Sequence, residues 1–540
     1  MSAPSCATDK IEQHAKAAAS AMKAKNWEAA ATDWLHCLEL QGDETRPEHL
    51  AQLIACNLAL KQYPTAKQLL EHASLRHPFS TSLLLHKAAL AYLERDYRDA
   101  IQNWCLCMAL EPDSMTQLVF KRLGVAFRRL GYIGHGKAII SNGLQRFPNA
   151  ASLWVEMAIA EETAGQLEMA GGFWEKALEN YGGLAPASVC LSACLVLAKN
   201  GQLQRCVEIL EAALLIHPDD KRLQGRLKEV RIANRVDVSI VAESDGKYRF
   251  TYYKQRQEAS VIFFTFGTIL NDLSSRAFGY PFLTLEGYDH VHVAQGSNQQ
   301  YQELSLEAFA AIASPLCAGK KAFTYGSSLG GYAAIYFASA IRACAIASSP
   351  TLPAHAMAKR FPNHKIPIKH IPIERFEIAE RVYAFFDPHD EDDEAFMRER
   401  IAQACKDLVS VPLPFSGHQA LKILKEAGLL KQTIRQIVAD MPTAITIGED
   451  QFDNTVIYLA KKASYLHRKG QYGEAIEVGK KCIALTPSLH AYNALISSAL
   501  RLGQLDVAVR HYEDALAFFP ANKLVRLPKT TRNLPSPYAQ

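Results

Sequence analysis

No uninterrupted apolar run in this 540-residue chain reaches the length of about 20 residues that spans a bilayer. Met1 to Lys25 is Ala-rich but interrupted by Asp9, Lys10 and Glu12, with no basic region followed by an apolar core, so no signal peptide is expected. The 12 cysteines are scattered and include no C-x-x-C pair, so reduced, mostly buried thiols in a cytoplasmic protein are expected. Charge of one sign is also lacking. The formal net charge is +4, without the concentrated basic footprint of a nucleic-acid binder. The histidines show no ligand spacing such as H-E-x-x-H, so neither a metal nor another cofactor is expected. What remains is an ordinary globular composition, 49% apolar and 21% charged, long enough for three or four domains.

Glycine is concentrated where it matters most. In the stretch Phe323 to Ala334 a strand-like run leads into Gly326-Ser327-Ser328-Leu329-Gly330-Gly331, and an apolar, helix-compatible run continues from Tyr332 to Ala340. This G-x-S-x-G pattern fits a serine on a strained turn between strand and helix. The crowded backbone there requires positions with almost no side chain two residues before and after the serine. Gly326 and Gly330 supply them, and Gly331 lets the helix approach the sheet. The Leu329 amide would point, at a helix N-terminus, to where an oxyanion forms.

The N-terminal part repeats itself. Trp27, Tyr63, Tyr97, Tyr132, Leu167 and Leu203 recur every 34 to 36 residues, each within a motif such as Asn26-Trp27-Glu28-Ala29-Ala30. Prolines close the second helix in the same phase at Pro78, Pro112, Pro148 and Pro218. The pattern resembles the tetratricopeptide repeat over roughly residues 8 to 230, about six helix pairs. The aromatic markers are expected to be packing residues, and stacked pairs to form a concave surface that grips a protein partner. The signature returns at Gly470-Gln471-Tyr472 and Gly503-Gln504-Leu505, 33 residues apart, so 455 to 522 reads as two more repeats.

Between these blocks the period changes. Val236–Val241, Tyr248–Tyr253, Val261–Phe266, His290–Ala294, Ala322–Tyr325, Ala343–Ala347, Arg381–Phe386 and Leu408–Val411 read as strands alternating with helices, which implies a doubly wound parallel sheet. The expected layout is repeats over 1–232, an α/β domain over 236–440, repeats over 452–525 and a disordered tail over 527–540.

Residues 236 to 440 resemble the α/β-hydrolase superfamily, both in the serine turn and in the acidic and histidine segments downstream of it. The resemblance implies a triad in the order serine, acid, histidine. It places the nucleophile at Ser328, the base at His418 in Ser416-Gly417-His418 after the last strand, and the acid at Asp390, with Asp387 the alternative. Glu391, Asp392 and Asp393 read as a solvated helix start and His389 as a bystander. The oxyanion hole is expected from the amides of Leu329 and of Gly267 or Thr268. Tyr325, Lys359 and Arg360 are candidate substrate-binding residues. The last two lie in a segment, Ser349 to Ile373, with Lys365 and Lys369 and no acidic residue, which suits an anionic substrate or else forms a solvated face. The implied activity is that of an esterase or acyltransferase working on an acylated small molecule or glycan. The joining of such a domain to repeats resembles bacterial glycan-assembly and capsule-modification proteins. The alternative is a scaffold with an inactive hydrolase-like domain.

Overall fold

The helix pairs owe their close packing to one small residue per repeat. In the computed structural model, which describes residues 4–375, 378 and 380–527, Trp27, Tyr63 and Tyr97 open the helices Trp27–Gln41, Tyr63–Arg76 and Tyr97–Leu110. Three residues into each second helix stands Ala30, Ala66, Ala100, Gly136, Ala170 or Cys206, all buried. A Cβ on Gly136 would lie 3.0 Å from the Gly124 carbonyl oxygen of the neighbouring helix, so the two backbones touch there. Thirteen helices between Pro4 and Ala233 form six such pairs and a final helix, Lys221–Ala233. The rings Trp27, Tyr63 and Tyr97 are half-buried, whereas Tyr132 is 54% exposed and precedes its helix, Ile133–Arg146. Tyr132 is therefore not the packing residue its phase suggests.

Contacts divide the chain into two units, Met1–Ala233 and Asn234–Gln540. The second is built on a sheet of eight strands: β1 (Val236–Ser244), β2 (Tyr248–Gln255), β3 (Val261–Phe266), β4 (Asp289–Gln295), β5 (Lys321–Ser327), β6 (Cys344–Ser348), β7 (Val382–Phe386) and β8 (Leu408–Pro412). Their order is β1-β2-β4-β3-β5-β6-β7-β8. The sheet is mixed rather than parallel throughout, because β2 runs antiparallel to both β1 and β4. A short β1–β2 turn through Asp245 and Gly246 can only join antiparallel strands.

From β3 to β8 the pairing is parallel, and β3, β4 and β6 are buried along their whole length, as strands covered on both faces must be. On one face Phe264, Phe266, Phe309 and Phe337 share a core with the wholly buried helix Leu329–Ala338. On the other, Phe263, Phe323, Ile346, Phe385 and Val411 share a core with Phe452, Tyr458, Leu459 and Ala460. That second core reaches into the C-terminal helices Val456–Arg468, Tyr472–Leu485 and Leu489–Arg501 through Cys482 and Ala491, and a further helix, Leu505–Leu516, packs in a separate core with Tyr492 and Leu495. These repeat the N-terminal pattern, with Ala475 and Ala508 buried three residues into the second helix of each pair. Apart from Leu527, the expected tail lies outside the described residues. No helix among the described residues is long and apolar enough to cross a membrane.

Candidate active site

The turn after β5 is as tight as its glycines imply. Ser328 holds φ 57° and ψ −120°, a conformation that L-residues avoid at a cost of about 1–3 kcal/mol. Its amide donates to the Ser348 carbonyl at 2.8 Å, tying the turn to the end of β6. A Cβ on Gly326 would fall on the Gly330 carbonyl, and one on Gly330 would fall on the Phe266 carbonyl. One on Gly331 would lie 2.8 Å from the Ser348 carbonyl oxygen. Each glycine is thus set by a different backbone contact.

The hydroxyl of Ser328 lies 2.7 Å from Nε2 of His418, and Nδ1 of His418 lies 2.7 Å from Oδ1 of Asp393. A carboxylate has no proton to give, so Nδ1 carries the ring proton and donates to Asp393. Nε2 is then left as the acceptor for the serine hydroxyl. Phe361 packs edge-on against the histidine ring at 5.9 Å.

The acid on His418 is therefore neither Asp390 nor Asp387. Asp390 caps the helix Glu391–Phe396, accepting from the Asp393 amide, and its other partner is the guanidinium of Arg360. Asp387 is buried and accepts the amides of His389 at 2.9 Å, Phe415 at 3.1 Å and Gly417 at 2.6 Å. Burial raises its pKa, and those three hydrogen bonds pull the other way. Its carboxylate anchors the loop that carries His418 without touching the ring. Asp393, expected at a solvated helix start, instead has no exposed surface. The signal for it was helical spacing: Asp393 shares a face with Phe396, Met397 and Arg400, at i, i+3, i+4 and i+7, and the first two of those are buried apolar residues.

The amides of Gly267 and Thr268, expected to supply the second oxyanion donor, both have partners in the structure. The Gly267 amide donates to the hydroxyl of Tyr301 at 2.7 Å, and the Thr268 amide donates to Oδ1 of Asn271 at 2.6 Å. The Thr268 amide is thus engaged within its own loop and the Gly267 amide by a residue beyond β4, and the sequence alone points to neither Asn271 nor Tyr301 for this. The Leu329 amide, at the first position of its helix, has no acceptor within that helix.

The three candidate substrate-binding residues are not gathered at Ser328. Tyr325 is 3% exposed and packs on Phe278 at 4.9 Å, so it belongs to the core, where burial raises its pKa. Lys359 is exposed, with its amide bonded to the Met357 carbonyl. Arg360 binds Asp390 and Asp392, and lies 3.6 Å from Asp393. Burial alone would lower the Arg360 pKa, but the carboxylates of Asp393 and Asp390 outweigh it and hold the guanidinium above its ordinary value. Nor is the basic segment a free cationic surface. Lys365 donates to the carbonyls of Pro353 and His355, and Lys369 pairs with Glu303.

No family model and no curated protein matches the chain. Among solved structures it is similar to "MamA MSR-1 C2", at 19% identity over 32% of this chain and 98% of that one, with a TM-score of 0.29. It is similar to PilF of Pseudomonas aeruginosa, at 16% identity over 41% of this chain and 99% of that one, with a TM-score of 0.36. It is also similar to YrrB, described as a TPR protein with an unusual peptide-binding site, at 14% identity over 37% of this chain and all of that one, with a TM-score of 0.31. None of these names a hydrolase.

Proposed function

We propose that the sheet-containing unit is a serine-dependent acyl-transfer enzyme of the α/β-hydrolase kind. The observation that carries this reading is the Ser328–His418–Asp393 chain of two 2.7 Å contacts. The topology supports it. The serine follows β5, the acid follows β7 and the histidine follows β8, the chain order of that superfamily. The comparisons lend nothing to the chemistry, which rests on this geometry.

In the proposed reaction Ser328 Oγ attacks the carbonyl carbon of an ester or thioester as its proton passes to Nε2 of His418. Asp393 stabilises the imidazolium, and the Leu329 amide donates to the oxyanion of the tetrahedral intermediate. Collapse of that intermediate breaks the bond to the leaving group, which takes the proton from His418. The acyl-Ser328 then passes its acyl group to water or to another acceptor, such as a glycan hydroxyl. A cavity of about 290 Å³ lies by Tyr332, one helical turn past the serine; apolar Leu352, Ile371 and Phe396 line it together with His355, Glu374 and Arg400, and Ser328 and His418 do not.

A second reading is favoured by the six helix pairs between Pro4 and Ile216. In it the protein is a partner-binding scaffold whose sheet domain performs no chemistry. Labelling with a fluorophosphonate decides between them. Labelling of the wild type that vanishes in Ser328→Ala and in His418→Ala supports the enzyme. A well-folded wild type that does not label leaves the scaffold.

A further inference from the structure

We propose that one face of the C-terminal helix Val456–Arg468 is a positioning element for His418, with Tyr465 its principal residue. The proposal rests on the acyl-transfer reading of the Ser328 site. It changes the role of the C-terminal repeats from recruitment alone to upkeep of that site.

The loop that delivers His418 is strained. Phe415 holds φ 61° and Gly417 holds φ 54°, so two left-handed residues bracket Ser416 just before the histidine. For a phenylalanine that conformation costs about 1–2 kcal/mol and persists only where the surroundings impose it. On one side the carboxylate of Asp387 takes the amides of Phe415 and Gly417. On the other stands the helix. Tyr458, Lys461, Lys462 and Tyr465 fall at i, i+3, i+4 and i+7, one continuous stripe. The Phe415 ring meets Tyr465 at 5.2 Å and Tyr458 at 5.5 Å, and the Lys462 ammonium stands 5.7 Å from its centre. Lys462 also donates to the Tyr458 hydroxyl at 2.8 Å, which fixes both. His389 stacks on Phe415 at 4.6 Å and meets the Tyr465 ring at a tilt of 41°, also at 4.6 Å, so it closes this box rather than standing by. The end of the Lys461 side chain covers Gly417, with Cε 2.9 Å from where a Cβ would stand.

The helix can bear this load because it is itself fixed. Tyr458, Leu459 and Ala460 are buried in the core they share with Phe385 and Val411 of the sheet and with Leu413 just after β8. The aromatic box therefore transmits the position of the sheet to the histidine loop from a second direction. Removing the Tyr465 ring opens one wall of the box and lets Phe415 leave the left-handed region. His418 then shifts with respect to Ser328 and Asp393. Such a shift acts on the chemical step rather than on substrate binding, and a misplacement of about 1 Å costs on the order of 100-fold.

The test compares Tyr465→Ala, Tyr465→Leu, Tyr465→Phe and Tyr492→Ala in the full chain. Tyr492, buried in Leu489–Arg501, packs in a different core and serves as an equally disruptive substitution away from the loop. The readouts are the rate of fluorophosphonate labelling, kcat and KM on a short p-nitrophenyl ester, thermal melting, and the low-field proton resonance of His418 Nδ1–H. We expect Tyr465→Ala to label about tenfold or more slowly, through kcat with KM nearly unchanged, and to lose the low-field resonance. Tyr465→Leu, which keeps apolar bulk if the alanine variant fails to fold, should slow labelling in the same way. Tyr465→Phe should restore it, and Tyr492→Ala should melt earlier yet label at the wild-type rate. Wild-type labelling rates in the alanine and leucine variants would overturn the proposal, as would equal slowing by Tyr492→Ala. A wild type that neither labels nor turns over ester would overturn the acyl-transfer reading instead. The positioning role would then stand or fall with loss or persistence of the low-field resonance in the Tyr465 variants.

Discussion

His418 Nδ1 lies 2.7 Å from Oδ1 of Asp393, a carboxylate with no exposed surface, at the third position of a helix that Asp390 caps. The two aspartates three residues apart do different work, and substitution separates them. On the proposed acyl-transfer reading, Asp393→Asn removes the charge that orients the His418 ring, and kcat for ester cleavage should fall on the order of 10⁴-fold. Asp390→Asn keeps a side-chain oxygen for the cap, and its loss should stay under about tenfold, since asparagine caps as well as aspartate. Asp387→Asn should fall between, because one of its carboxylate oxygens, which accepts the Gly417 amide, becomes a donor. Steady-state kinetics on one ester series reads all three, and the reverse ranking of Asp390 and Asp393 would contradict the assignment.

Arg360 tests whether the basic segment serves substrate or scaffold. Its guanidinium is committed to Asp390 and Asp392 and stands close to Asp393. Arg360→Met leaves three carboxylates crowded at one helix start, so kcat should fall about tenfold for neutral and anionic esters alike. Arg360→Lys should recover only part of this, since an ammonium lacks the planar fork that spans two carboxylates. Had Arg360 bound an anionic substrate, the loss would appear in KM, and only for the anionic ester. Comparing one neutral with one carboxylate-bearing ester separates the two.

How far the sequence anticipates this structure depends on the reach of the forces involved. The strands β1 to β8 fall on the eight runs of β-branched and aromatic residues, because burial of a strand face is written into consecutive residues. The glycines around Ser328 are legible for a similar reason, as their demand is steric and local. The direction of β2 is not carried by periodicity, which reads the same in either sense. The choice of Asp393 among its acidic neighbours depends on where the helix begins and on Arg360, 33 residues earlier. The engagement of the Gly267 amide is set by Tyr301, distant in sequence and adjacent only in the fold. The box around Phe415 joins residues from before β8 and from the C-terminal repeats, a meeting that no short window contains.

The glycines make a sharp stability test. Gly326→Ala and Gly330→Ala place a methyl group on backbone carbonyl groups, which have no flexible end to yield. Each should cost more than about 3 kcal/mol, seen as loss of soluble protein or a large drop in urea midpoint. Gly134→Ala is the opposite case. It is exposed in the helix Ile133–Arg146, with nothing within 4 Å of the added carbon. It should stabilise by roughly 0.5–1 kcal/mol through the unfolded chain. An equal response at all three positions would mean that the turn around Ser328 is looser than described.

Acid should weaken the sheet-containing unit through its buried histidines. His290 and His292 on β4 and His370 are buried, and burial pushes each pKa down to about 4. His370 is held neutral, stacked on Tyr336 at 4.2 Å with Nε2 donating to the Tyr301 carbonyl at 2.8 Å. In the unfolded chain the same rings titrate near 6.5. Between those values the unfolded state binds more protons than the folded one, so stability rises with pH. Their contribution is complete above about 6.5 and is lost as pH falls toward 4, up to about 3 kcal/mol per ring. Urea midpoints at pH 7, 6 and 5 should therefore decline steadily. His370→Asn, which keeps a donor for the carbonyl but cannot take up a proton, should lower stability at pH 7 and flatten the slope by about one proton. Midpoints independent of pH over that range would mean that these rings are hydrated and titrate normally, which is incompatible with their place in the core.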